Sequence, residues 1–171
     1  MSHADPSAES APERGGAYDY RGVIHWEYSP EIDHDPDPGE IVWTWVAFEE
    51  DASIGKDRPV AVVGRTDDRR LVALMLSSRN HDGDRGWISI GAGPWDREGR
   101  ESWVRRDRVL AVHAHAVRRE GAILPRPTYE AILSGMKGAS STAPTTPPTT
   151  TPVQSSGLFA RVRRMFGRGR S

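Results

Sequence analysis

The feature that most constrains the fold is a pair of apolar stretches separated by a short polar loop. The first stretch is Gly39-Glu-Ile-Val-Trp-Thr-Trp-Val-Ala-Phe48, and the second is Gly55-Lys-Asp-Arg-Pro-Val-Ala-Val-Val63. Their β-branched and aromatic residues favour extended backbone, and the loop between them carries charges and a glycine. The two stretches therefore predict neighbouring β-strands, of which the second opens with Arg58 and Pro59.

Similar short signals continue along the chain, separated by turn-rich pieces without helical periodicity. The predicted strands are Ile41–Phe48, Val60–Gly64, Leu71–Ser77, Gly86–Ile90, Ser102–Val104, Arg108–Val112 and, more weakly, Gly121–Leu124. A helix is predicted over Pro127–Lys137, because apolar residues recur there at helical spacing, and Gly138 follows as its stop signal. Many short strands without intervening helices predict an antiparallel barrel or sandwich.

The strand-loop-strand unit resembles the opening of the MazF/PemK family of toxin-antitoxin proteins. In that family a Gly-(Asp/Glu)-Ile-Val-Trp strand leads through a loop to an Arg-Pro that opens the next strand. The resemblance covers residues 39–137 and implies a mainly β (α+β) fold, an SH3-like small β-barrel with a C-terminal helix. It also implies a homodimer, a cognate antitoxin protein as partner, and metal-independent cleavage of single-stranded RNA.

The flanking segments differ in composition from the predicted barrel. Residues 1–17 are predicted to be a disordered acidic arm, and residues 18–38 an extended acidic strap, because alternating prolines disfavour helices and inner strands. Residues 138–156 form a Ser/Thr/Pro-rich linker, also expected to be poorly ordered. Residues 157–171 are a basic amphipathic segment that could contact a membrane surface weakly, a nucleic acid or a protein.

Charge is distributed unevenly along a chain whose net charge is −1. Residues 1–38 carry 2 basic and 9 acidic side chains, whereas residues 138–171 carry 5 basic and no acidic ones. The absence of cysteine excludes disulfides, thiolate metal sites and cysteine nucleophiles. No apolar run approaches the length of a membrane span, and the N-terminus lacks the regions of a signal peptide. A cytoplasmic location is therefore expected.

Two residues are predicted to carry the chemistry. Arg58 aligns with the catalytic arginine of the family, and Ser77 aligns best with a hydroxyl residue, usually threonine, that ends a later strand there. A guanidinium can stabilise the charge that develops on phosphorus, and a neighbouring hydroxyl can donate a hydrogen bond or relay a proton. Residue types alone leave a plainer alternative open, in which Arg58 forms an ion pair with Asp57 or Glu49.

Polar and basic residues near these two are predicted RNA contacts, although solvated strand ends would explain them equally well. They are Lys56, Ser78, Arg79 and Arg105, and Arg106 is a further candidate. The loop Glu49–Lys56 departs from the Glu-Gln that the family commonly has before its arginine. That departure, and Ser77 in place of threonine, put in question the rate of catalysis and the RNA sequence that is cleaved.

Other conspicuous residues favour structural interpretations. Trp43 and Trp45 share one strand face and are expected to be buried, while Trp87, Trp95 and Trp103 could stack on bases but more often pack in cores. His113 and His115 would share a strand face as metal ligands might, yet no third ligand accompanies them. The acidic run at Asp33, Asp35 and Asp37 lacks calcium-loop spacing, and His81-Asp-Gly-Asp84 is interpreted as a turn. No metal or cofactor is expected.

The leading hypothesis from the sequence is therefore a toxin-like endoribonuclease that leaves a 2′,3′-cyclic phosphate. The alternative is a non-catalytic SH3-like barrel that binds nucleic acid or protein, with the basic C-terminal segment as an anchor.

Overall fold

A computed structural model describes residues 15–31 and 33–136, apart from the side chains of residues 119–121. Residues 1–14 of the disordered arm predicted over 1–17, the linker and the basic C-terminal segment lie outside the described residues, whereas Ala17 at the end of that arm is buried. The described part contains nine strands, one short 3₁₀ turn and one α-helix. Mainly β structure followed by a C-terminal helix, as predicted, is confirmed.

The centre of the fold is an antiparallel three-strand meander. It comprises β3 (Glu40–Ala47), β4 (Gly55–Arg65) and β5 (Leu71–Ser77). Val60 lies opposite Val42 on one side and opposite Met75 on the other, which fixes the register of all three strands. The β4–β5 turn closes tightly, because Arg69 adopts a positive φ of 65° and the Thr66 N–H donates to the Arg70 carbonyl.

The remaining strands extend this meander on both sides. They are β6 (Trp87–Gly91), β7 (Ser102–Arg105), β8 (Leu110–Val112) and β9 (Val117–Ile123). The last part of β5 pairs with β7, which pairs in turn with β6, whereas the first part of β5 pairs with β8. β9 pairs with the free side of β3. Two strands thus share one edge of β5, and the sheet curls as it divides.

The N-terminal segment adds two strands of two residues each. β1 (Tyr18–Asp19) pairs with β8, and β2 (His25–Trp26) pairs with β4. Immediately before β1, the Ala17 N–H donates to the Trp45 carbonyl at 2.8 Å, so β1 also contacts the end of β3. The sheet path that runs from β3 through β4, β5 and β8 to β1 therefore returns to β3.

Alternation along the strands gives the sheet two apolar faces. One face packs under helix α1 (Arg126–Ser134), where Leu74 and Leu76 of the sheet and Ile132 of the helix belong to one apolar cluster. The opposite face encloses a second cluster that includes Val60, Val62 and Ala17. The helix ends three residues before the predicted Lys137, because Gly135 forms its C-terminal cap.

The predicted burial of Trp43 and Trp45 is wrong, since both are only half-buried. Their intervening neighbours Val42, Thr44 and Val46 point to the opposite face and are fully buried. The two tryptophans share a face with Ile41, but neither belongs to the cluster under α1. Strand alternation showed correctly that they share a face but did not show that they lie outside this cluster.

Candidate active site

Strand register places Arg58 and Ser77 at the same end of the sheet. β4 and β5 are antiparallel, with Val60 opposite Met75 and Ala61 opposite Leu74. The pairing of the two strands ends at Val60 and Met75, and Arg58 and Ser77 each lie two residues beyond that last pair. By alternation both project to the face of Val60 and Met75, at the same end of the sheet.

The Arg58 guanidinium has no carboxylate partner among the described residues. The two carboxylates that could have paired with it are engaged elsewhere, since Asp57 bonds Arg118 at 2.9 Å and Glu49 bonds Arg105 at 2.7 Å. Arg58 is half-buried. Burial, followed by the nearby charges of Arg79 and Arg108, lowers its pKa, although a guanidinium remains protonated at neutral pH. A partly desolvated cation among other cations favours an anionic ligand.

Ser77 ends its strand with its hydroxyl in a defined environment. Its Oγ accepts a hydrogen bond from the backbone N–H of Arg79 at 3.2 Å. The same oxygen lies 3.1 Å from Nε2 of His81. The hydroxyl is therefore held at the junction between β5 and the loop that follows it.

His81 is the residue of this site that sequence reasoning missed. It does lie in a turn, as predicted, because the Asp84 N–H donates to the His81 carbonyl and Gly83 has a positive φ of 80°. The turn folds the imidazole back over the end of β5, where it stacks on Trp87 with ring centroids 3.7 Å apart and planes 6° apart. The only available signal was the four-residue spacing between Ser77 and His81, just before the glycine of the turn, Gly83.

The site continues across β7 and β6 on the same face of the sheet. Ser77 lies opposite Trp103, which lies opposite Ser89. In the next row Arg105 lies opposite Trp87. Trp87 and Trp103 are both half-buried and line this surface, whereas Trp95 is buried in the cluster under α1.

The predicted RNA contacts differ in how available they are. Lys56 is exposed and lies two residues before Arg58, on the same face of β4, while Ser78 and Arg79 are exposed just beyond Ser77. Arg105 donates two hydrogen bonds to Glu49 and one to Asp107, so its charge is compensated.

Arg106 lies away from these residues. Arg106 directly follows β7, along which successive side chains point to opposite faces of the sheet, so it shares the face of Val104 rather than that of Arg105. Its guanidinium lies against Gly135 at the end of α1. It is therefore a contact between the sheet and the helix.

Two further groups contain side chains of the types that bind metal ions. His113 and His115 do not share a strand face as predicted, because β8 ends at Val112 and a 3₁₀ turn over Ala114–Ala116 follows; their rings nevertheless stack at 5.2 Å. Ligand atoms of Glu31, Asp33 and Asp37 lie within 4.8 Å of one another on the N-terminal segment. Exposed carboxylates commonly cluster in this way without an ion.

The fold and site define a class: a small, curled antiparallel β domain with a C-terminal helix, which carries an arginine without a carboxylate partner and a strand-end hydroxyl at one end of its sheet. The chain belongs to the PemK-like, MazF-like toxins of type II toxin-antitoxin systems, whose family model matches residues 37–138, more than half of the chain. Membership of a toxin-antitoxin system implies an antitoxin partner. A comparison with curated proteins found no match.

No helix among the described residues is long and apolar enough to cross a membrane.

Proposed function

We propose that this toxin is an endoribonuclease that cleaves single-stranded RNA without a metal, by attack of a 2′-hydroxyl on the adjacent phosphate to leave a 2′,3′-cyclic phosphate. The observation that carries the proposal is Arg58, which is half-buried, has no carboxylate partner in the described structure, and lies at the end of the sheet where β5 ends in the hydroxyl residue Ser77. Toxins of this family are generally endoribonucleases, which supports the same reaction.

The chemistry follows from the residue types and their spacing. Attack of the 2′-oxygen concentrates negative charge on the non-bridging phosphate oxygens, and a guanidinium can donate two parallel N–H groups to them. Ser77, at the same end of the sheet, would exchange a proton or a hydrogen bond with the attacking oxygen. Lys56, Ser78 and Arg79 border the pair and would contact neighbouring phosphates. Arg105 would do so only after exchanging Glu49 or Asp107 for a phosphate.

The assembly proposed here follows the family resemblance. The curled sheet would be an SH3-like barrel over residues 39–137 that forms a homodimer in the cytoplasm. The antitoxin would lay an extended or helical segment across the RNA groove. Residues 18–38 would act as a strap on the barrel, and residues 138–156 would tether the basic segment 157–171.

The test is cleavage of a mixed-sequence RNA by the full-length protein in EDTA, with Arg58→Ala compared with Arg118→Ala. Arg118 is a matched control, because it is an exposed arginine of the same sheet already paired with Asp57. We expect fragments that end in cyclic phosphate from the wild type and from Arg118→Ala. We expect a loss of about 10²–10³-fold with Arg58→Ala, as for removal of one transition-state donor.

Two results would contradict the proposal. Equal loss of activity in both arginine variants would mean that Arg58 has no special role. No cleavage by the wild type would favour the alternative, a binding module without catalysis.

A further inference from the structure

The hydroxyl of Ser77 has a potential proton acceptor beside it. His81 Nε2 lies 3.1 Å from Ser77 Oγ, which already accepts a hydrogen bond from the backbone N–H of Arg79. A hydroxyl offers one hydrogen and two lone pairs. The bond from Arg79 uses one lone pair and leaves the hydroxyl hydrogen unused. Ser77 can therefore donate that hydrogen to His81 Nε2 whenever that nitrogen is unprotonated.

The imidazole is held in this orientation by its neighbours. Its face stacks on Trp87 at 3.7 Å, and the Trp103 ring meets it edge-on at 6.3 Å. The other ring nitrogen, Nδ1, lies 3.9 Å from Oδ2 of Asp84, while Oδ1 of Asp84 accepts the Gly86 N–H at 3.0 Å. A carboxylate on the Nδ1 side favours the tautomer that carries its proton on Nδ1, which leaves Nε2 as the acceptor facing Ser77.

Only about a fifth of the His81 side chain is exposed, so the ring is shielded without being sealed from solvent. A histidine that merely filled space could satisfy the same stacking with either nitrogen toward the serine. The combination of a fixed ring plane, a hydroxyl at one nitrogen and a carboxylate near the other is the arrangement that polarises a hydroxyl for proton transfer.

We infer that His81 accepts the proton released during RNA cleavage, with Ser77 as the relay, an inference that rests on the proposed ribonuclease activity. The 2′-oxygen forms its bond to phosphorus as the bond from phosphorus to the 5′-oxygen breaks. The 2′-hydroxyl proton passes to Ser77 Oγ while the Ser77 proton passes to His81 Nε2. The departing 5′-oxygen takes a proton from water, and the imidazolium returns one to solvent, so the protons balance.

A pH profile can isolate this role because of the charges around His81. They are Asp84 on its own loop, Arg79 beside Ser77, Arg58 near Arg79, and Arg105 with its partners Glu49 and Asp107. Carboxylates and guanidiniums as classes do not change charge between about pH 5.5 and 8.5, whereas an imidazole does.

The test measures cleavage by the full-length protein over that pH range for the wild type, His81→Gln and His113→Gln. Glutamine can still bond Ser77 but cannot accept a proton, and His113 is an exposed histidine outside the site. We expect His81→Gln to lose about 10²–10⁴-fold in rate and to lose the acidic limb of the profile, while His113→Gln matches the wild type. His81→Gln within about threefold of the wild type, with its acidic limb intact, would overturn the inference.

A second measurement does not depend on activity or on the folding of the variant. Long-range ¹H–¹⁵N spectra of the wild type report which ring nitrogen of His81 carries the proton, and Ser77→Ala should shift the Nε2 resonance. Protonation at Nε2 in the neutral ring would overturn the inference even if His81→Gln failed to fold. No cleavage by the wild type would overturn the proposed function and this inference together. Full activity of His81→Gln beside an inactive Arg58→Ala would overturn this inference alone.

Discussion

The ion pair between Asp19 and Arg108 allows a sharp test of how the N-terminal segment stabilises the domain. Arg108 is 6% exposed and donates to both carboxylate oxygens of Asp19, at 2.8 and 3.0 Å, and to the Ala47 carbonyl. Replacing Asp19 with alanine would leave a buried guanidinium with one neutral acceptor among these contacts. We therefore expect Asp19→Ala to reduce the free energy of unfolding markedly.

The magnitude follows from the exposure of the two partners. A hydrogen bond to a charged group contributes about 1.5–3 kcal/mol, but the Asp19 side chain is 53% exposed, and solvent screening reduces its share. We expect a loss of about 2 kcal/mol, which is roughly 30-fold in the ratio of folded to unfolded protein. For a chain of this size, that loss corresponds to a fall in Tm of about 4–8 °C.

Asp57→Ala is the matched control. Its partner Arg118 lies at nearly the same distance, 2.9 Å, but is 56% exposed, so we expect a loss of at most about 0.5 kcal/mol. Urea unfolding followed by tryptophan fluorescence measures both variants. Equal losses, or a smaller loss for Asp19→Ala, would refute the argument that the burial of Arg108 sets the energy.

The same pair predicts a pH dependence. The hydrogen bond from Arg108, more than any other cause, lowers the pKa of Asp19 below its ordinary value of 3.8. A carboxyl group with a lowered pKa contributes its full stability above the ordinary value and loses it as the pH falls through the lowered one. The difference between the wild type and Asp19→Ala should therefore be constant near neutral pH and shrink below 3.8.

Three further predictions concern other parts of the domain. Tyr129→Phe should lower the free energy of unfolding by about 1–2 kcal/mol, because the buried Tyr129 hydroxyl donates to the Val63 carbonyl at 2.8 Å. Burial raises the pKa of Tyr129, so this loss, measured by urea unfolding, should stay constant up to pH 10.0, the ordinary tyrosine value. An unchanged unfolding midpoint would contradict the predicted loss. Gly64→Ala should loosen β2 from β4 and lower the free energy of unfolding by about 1–3 kcal/mol, because a Cβ there would lie 2.3 Å from the His25 carbonyl oxygen. Hydrogen exchange at Trp26 that is no faster than in the wild type would contradict this. Glu49→Gln should release Arg105 for a phosphate and steepen the salt dependence of RNA binding by about 0.7 in log–log slope, and an identical slope would show that Arg105 stays engaged.

Local sequence signals predicted the central part of the sheet well. The β3–β4–β5 meander consists of apolar runs bounded by turn residues, so composition and spacing sufficed for its strands. Ser77 ends β5 as predicted, whereas Arg58 lies inside β4, which begins at Gly55 rather than at the predicted Val60. The short N-terminal strands carried no such signal, because two residues cannot show a period and their pairing partners are distant in sequence.

The predictions that failed depended on what covers a surface or bends a loop. Trp43 and Trp45 lie outside the apolar cluster that Ile41 of the same strand face joins, and strand alternation does not encode that difference. The strand face expected for His113 and His115 was lost when β8 ended at Val112. The position of His81 depends on the conformation at Gly83, and the turn was predicted without the direction in which it projects the imidazole.

The pairing of β1 with β8 also governs when this protein can become complete during synthesis. Asp19 and Arg108 are 89 residues apart, and Tyr28 bonds the carbonyl of Leu124, 96 residues away. At roughly 5–20 residues per second, a ribosome needs about 5–18 s to pass from the first partner of the Asp19 pair to the second. Until then, β1 has no strand to join on the β8 side, although Ala17 can already pair with the end of β3. The sheet therefore stays incomplete until most of the length of the chain has been made.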